Sequence, residues 1–78
     1  MKSIHDPRYI KMIGRLRDIR KEKKVSQYTL AERLNIPQEN VSKVENFVRR
    51  LDLIELCDWL DGLDYDLIDF LRETGRVE

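Results

Sequence analysis

The stretch SQYTLAERLNIPQENVSKVEN, Ser26 to Asn46, decides how this chain is read. Ser26 is a good helix N-cap, because its hydroxyl can accept from a first-turn amide. From Gln27 to Leu34 the apolar residues Leu30, Ala31 and Leu34 fall on one helical face. Asn35 tolerates the left-handed conformation that ends a helix, and Ile36-Pro37 completes a short turn. A second helix is expected from Gln38 to about Asn46, with Val41 and Val44 turned inward. It is too short to stand alone and needs tertiary contacts to hold it.

Residues 27–45 therefore form a two-helix unit. Two short helices meeting at a steep angle need a small residue where they approach, which Ala31 supplies. They need a turn residue that accepts positive φ, which Asn35 supplies. The outward positions of the second helix are Gln38, Glu39, Asn40, Ser42 and Lys43. Such polar groups suit a helix inserted in a DNA major groove. An ordinary helical hairpin with a solvated outer face is the alternative on spacing alone.

Working outward, Asp6 and Pro7 mark the start of a first helix. Tyr9, Ile10, Met12, Ile13, Leu16 and Ile19 give it one broad apolar face, and it should end near Lys23 or Lys24. After a connector at 47–51, Asp52 and Glu55 resemble a capping box for a fourth helix. Leu53, Leu56, Cys57, Leu60 and Leu63 are its expected buried stripe, with Trp59 on the flank. Asp66 caps a last helix holding Leu67, Ile68, Phe70 and Leu71. The expected fold is all-α, one compact five-helix bundle spanning residues 1–78, with flexible ends at 1–5 and 74–78.

Charge is distributed unevenly. Residues 1–50 carry thirteen Lys/Arg and six Asp/Glu, a net of +7, whereas residues 51–78 carry two and nine, a net of −7. That polarity suggests one pole for a polyanion and one turned away from it, against the plainer reading of a self-balancing surface. Two charges fall on inner faces: Arg20 within the apolar face of the first helix, Glu45 one turn after Val41. A lone buried charge is very costly and a hydrogen-bonded pair is tolerable, so the two are expected to pair. The alternative is that both side chains reach solvent.

These residues carry a resemblance. Residues 16–20, Ser26-Gln27, Leu30-Ala31-Glu32, Pro37-Gln38 and residues 41–45 look like the Cro/phage-repressor (XRE) helix-turn-helix family. Arg49-Arg50-Leu51-Asp52 followed by Glu55 resembles a bacterial branch of it, and the likeness runs over about residues 8–71. It implies a lambda-repressor-like bundle, acting as a homodimer on a palindromic operator. Gln27, Asn46, Arg49 and Arg50 would then meet DNA phosphates. Gln38, Glu39, Asn40, Ser42 and Lys43 would read bases, and Arg20–Glu45 would be the internal ion pair. Arg49 as a solvated charge, or Arg50 as a brace to the fourth helix, are the competing readings.

The chain departs from that pattern in places. Lys24 stands where the family often has glycine, so strain is expected there. Phe47-Val48 replaces glycine and a charged residue. Its readings are contact with the fourth helix, a dimer interface, or contact with a protein partner or thymine methyls. Asp64 replaces another glycine, with Gly62 near enough to shift the cap.

Some functions are excluded by composition. Cys57 is the single cysteine and is expected in the core, so no internal disulfide or cysteine metal cage can form, which fits the cytoplasm. His5 has no second histidine to join it. Asp58, Asp61, Asp64, Asp66 and Asp69 lack the spacing of a calcium loop and read as caps and a solvated face. No phosphate loop, catalytic set, cofactor site, signal peptide or membrane span is recognisable. A sequence-specific transcriptional regulator, a repressor rather than an enzyme, is expected. The alternative is an antitoxin-like protein-interaction module using the last two helices, Trp59 and the Phe47-Val48 edge.

Overall fold

The computed structural model describes residues 4–78; of the flexible start expected at 1–5, residues 1–3 lie outside the described residues. Five helices follow one another: α1 (Pro7–Glu22), α2 (Gln27–Leu34), α3 (Gln38–Glu45), α4 (Leu53–Gly62) and α5 (Leu67–Glu73). Four start on side-chain caps. Asp6, Ser26, Asp52 and Asp66 accept from the amides of Arg8, Thr29, Glu55 and Asp69 at 2.7–3.0 Å. Glu55 Oε1 accepts from the Asp52 amide at 3.0 Å, which closes the capping box.

The helices stop by one shared device. Lys24, Asn35, Phe47, Asp64 and Gly75 follow the five helices in turn with φ between 53° and 80°. The next amide reaches back to a carbonyl five residues earlier each time: Val25 to Arg20, Ile36 to Ala31, Val48 to Lys43, Tyr65 to Leu60 and Arg76 to Leu71. These are left-handed helix stops that satisfy otherwise orphaned carbonyls. Glycine occupies one of the five. Gly62 does not shift the cap of α4; Asp64 takes the left-handed position itself. Gly62 instead lets α4 approach α2, since a Cβ there would lie 3.0 Å from Leu34 Cδ2.

Ile13, Leu16 and Ile19 of α1 meet Leu30 and Ala31 of α2, Val41 and Val44 of α3, Trp59 and Leu60 of α4, and Phe70 of α5 in one core. Several expectations are corrected here. Trp59 is buried at 3% exposure and Leu53 is exposed at 69%, the reverse of their expected places. The stripe of α4 is centred between Trp59 and Leu60, so Cys57 is only half-buried and Leu53 projects at the first turn, beyond the edge of the core. Ile10 and Ile68 are likewise exposed. Thr74, placed in the frayed end by the sequence, is buried, and its hydroxyl donates to the Phe70 carbonyl at 2.9 Å.

A polar clasp ties α1 to the far end of the chain. Arg15 Nε donates to Glu73 Oε1 at 2.6 Å, Nη1 to Glu22 at 2.9 Å and Nη2 to the Tyr65 hydroxyl at 3.1 Å. Tyr65 in turn donates to Glu73, and Lys23 lies over the Tyr65 ring. Nothing in the local sequence pattern announced this cluster, because its members are joined by tertiary structure alone. Among the described residues no helix is long and apolar enough to cross a membrane.

Candidate nucleic-acid interface

α2 and α3 meet at a tight corner. Asn35 ends α2 with φ 57° and ψ 45°, and Pro37 opens α3 without a side-chain hydrogen bond to its first turn. Val41 and Val44 are buried at 0% and 1% exposure and seat α3 on the core. With those two inward, the helical period turns Gln38, Glu39 and Lys43 to solvent and leaves Asn40 and Ser42 half-exposed. All five residues expected to read bases thus lie on or beside one polar face of a short helix.

That face is held from behind by charge. Arg20 Nε donates to Glu45 Oε2 at 2.6 Å and Nη2 to Oε1 at 2.9 Å, while Nη1 donates to the Val25 carbonyl at 2.8 Å. Arg20 and Glu45 are 8% and 5% exposed. The fork-to-fork geometry fixes both the spacing and the twist of α3 against α1, which a single bond would not. Every buried side-chain polar atom among the described residues has a partner.

The residues expected at phosphates have varied surroundings. Gln27 is half-buried at the start of α2, where its Nε2 donates to Glu45 Oε1 at 3.0 Å and its Oε1 accepts from Gln38 Nε2 at 3.2 Å. This link between the two glutamines was not anticipated, although their places at the starts of α2 and α3 are the visible signal. Asn46 is exposed at the end of α3 and donates to Ser42 Oγ at 3.2 Å. Arg49 donates to Glu55 at 2.5 Å, which braces it to the first turn of α4. This bond raises the Arg49 guanidinium and lowers the Glu55 carboxyl. Arg50 lies over the Tyr9 ring, 5.3 Å from its centre.

Phe47 packs its ring against the core from a left-handed backbone, while Val48 is 69% exposed. Val48, Leu53 and Ile54 give this end of the molecule three strongly exposed aliphatic side chains. Tyr28, also exposed, lines a shallow concavity with Glu32, Asn35 and Gln38 at the corner itself. Among the described residues no group of three or more His, Cys, Asp or Glu is placed to hold a metal ion.

Two short helices at a sharp corner, the second with an outward polar face, define a helix-turn-helix unit. The helix-turn-helix family profile matches residues 16–70, and the chain belongs to this XRE-type family of DNA-binding transcriptional regulators. Among solved structures it is similar to a mutant of the restriction-modification controller protein C.Esp1396I, with 26% identity and a TM-score of 0.79. The match covers 85% of this chain and 84% of that one. No curated protein sequence matches the chain. These matches favour the regulator over a purely protein-binding module.

Proposed function

We propose that the chain is a repressor that seats α3 in the major groove of double-stranded DNA. The observation that carries this reading is the polar face of α3, held rigid from behind by the buried Arg20–Glu45 pair. Gln38 and Asn40 suit adenine, Lys43 suits guanine, and Ser42 suits either. Glu39 only accepts while ionised, so cytosine N4 is its natural partner and its charge rejects wrong sites more than it adds affinity. Gln27 keeps one amide N–H for a phosphate after its bond to Glu45. Asn46, Arg49 and Arg50 flank the end of α3 and supply further phosphate contacts, Arg49 while still braced on Glu55.

The reading extends to a homodimer on a palindromic operator. One recognition helix touches few base pairs, and two copies about 34 Å apart would read successive turns on one face of the duplex. The molecule is 30 × 25 × 20 Å, so two copies side by side match that spacing. The exposed Val48, Leu53 and Ile54 near the end of α3 are apolar surface that a second copy would cover.

A mobility-shift titration on DNA upstream of the gene, at several salt concentrations, tests the proposal. Binding should weaken steeply as salt rises. Lys43→Ala should relax preference at one position of each half-site. Arg50→Ala should weaken every site alike and lower the salt slope by about one phosphate. Binding without sequence preference, or Lys43→Ala indistinguishable from wild type, would remove α3 from the groove.

A further inference from the structure

Residues 51–78 hold only two cations, Arg72 and Arg76, and the fold separates them. Arg72 stays on α5, 3.8 Å from Asp69. Arg76 leaves the acidic half. A left-handed turn at Gly75 (φ 80°) folds the tail back, and the Arg76 amide holds it there by donating to the Leu71 carbonyl at 2.8 Å. Arg76 thereby meets Arg8 and Arg50, from two other parts of the chain, around a hollow of about 210 Å³ that Asp6, Tyr9 and Met12 complete. Three arginines against one aspartate leave it a net of +2. Arg8 donates from Nε and Nη2 to the two oxygens of Asp6 at 3.0 and 2.8 Å, which offsets that carboxylate and leaves Nη1 for another acceptor. Arg50 lies over the Tyr9 ring, and the ring is fixed by its hydroxyl, which accepts from the Leu51 amide at 3.0 Å. Gathering like charges in this way costs stability unless an anion meets them. The hollow lies at the N-terminus of α1, whose dipole favours an anion as well.

We infer that this hollow holds a phosphate of the operator backbone, with Arg8 and Arg76 joining Arg50 as its ligands. This rests on the reading of Arg50 as a phosphate contact beside α3. Guanidinium forks match the paired oxygens of a phosphate, which supports phosphate as the anion. Pockets that enclose a drug-sized ligand span about 300–1,000 Å³. A hollow of about 210 Å³ suits one phosphate group on a passing strand better than a captured nucleotide. The start of α1 and the tail after α5 thus take part in holding DNA, although neither belongs to the helix-turn-helix unit. A cation encoded in the acidic half completes a basic surface encoded in the other.

The test measures binding of the full-length protein to its operator, found by mobility shift on DNA upstream of the gene, over a range of salt. Arg76→Gln and Arg8→Gln are compared with Arg72→Gln, which removes the same charge from α5. All three side chains are exposed, so the variants should fold, and thermal melts check this. Arg76→Gln and Arg8→Gln should each weaken binding about three- to tenfold at about 0.15 M salt and lower the salt slope by about 0.9. Arg72→Gln should stay close to wild type in both. Duplexes carrying one neutral methylphosphonate at each position in turn locate the contact. A phosphate that wild type and Arg72→Gln sense should go unsensed by Arg76→Gln, and it should match or adjoin one that Arg50→Ala ceases to sense. Arg76→Gln with the slope and phosphate pattern of Arg72→Gln overturns the hollow as a DNA site while leaving base reading by α3 standing. Inorganic phosphate alone shifting the amide NMR signals of Arg8, Tyr9 and Arg76, with operator binding indifferent to both variants, makes it a free-anion site and overturns the DNA assignment. A wild-type protein that selects no sequence overturns groove reading, and the assignment that rests on it.

Discussion

At the scale of single residues, two kinds of position carry the most. The first is the Arg20–Glu45 pair. Both were recognisable because a charge interrupted an apolar helical face, a pattern that permits pairing or escape and little else. Removing one partner strands the other in a dry site. Glu45→Ala should therefore cost about 3–5 kcal/mol in urea denaturation. A midpoint equal to that of wild type would show that the site is not dry. The second kind is the set of left-handed helix stops. A side chain in this conformation costs roughly 1–2 kcal/mol, partly offset in a glycine variant by the greater freedom of the unfolded chain. Lys24→Gly and Asp64→Gly should each stabilise by about 0.5–1 kcal/mol, since their side chains are exposed. Phe47→Gly should do the opposite, because it also withdraws a ring from the core; a loss of about 1–3 kcal/mol is expected. Thermal melts of the three variants check the signs together, and a stabilised Phe47→Gly would show that the ring contributes little.

At the scale of elements, the helices were legible nearly to the residue. Asp6, Ser26, Asp52 and Asp66 each stand just before a periodic apolar run, and each accepts from its helix's first turn in the structure. Contacts between elements were less visible. The Arg15–Glu73–Tyr65 clasp joins α1 to α5 across fifty-eight positions of sequence between its two ends, Arg15 and Glu73. Tyr65 first, and Arg15 second, hold the Glu73 carboxyl below its ordinary 4.5. Glu55 is lowered by Arg49 first and by the Asp52 amide second. A carboxyl lowered in the folded state contributes stability that is complete above its unfolded value and lost as pH falls through the folded one. Stability should therefore decline from about pH 5 downward, and Glu73→Gln should flatten that decline. Urea midpoints taken from about pH 7 to about pH 3 measure it. The same acid slope in both proteins would show that the clasp contributes nothing to the pH response.

At the scale of the whole molecule, the charge halves and the apolar end matter most. The zero net charge conceals opposed halves of +7 and −7, which suits a small protein that approaches a polyanion from one side. The proposed pairing on DNA assigns Leu53 and Ile54 to the join. Both are about two-thirds exposed, so a Leu53→Lys, Ile54→Lys variant should fold and melt as wild type does. It should occupy two half-sites independently instead of together. Footprinting over a protein titration checks this, and undiminished cooperativity would move the join elsewhere.

The sequence by itself determined the five helices, their caps and the two-helix unit, because these depend on neighbours within a turn or two of chain. It also exposed the Arg20 and Glu45 anomaly in the faces around residues 27–45. Only the tertiary structure decided that Trp59 enters the core while Leu53 leaves it. A helix's period names a stripe but not which end of that stripe overhangs its neighbours. Only the tertiary structure, too, linked Gln27 to both Glu45 and Gln38. The direction of those hydrogen bonds follows from which group can donate, and this becomes a constraint only once the three side chains are within reach of one another.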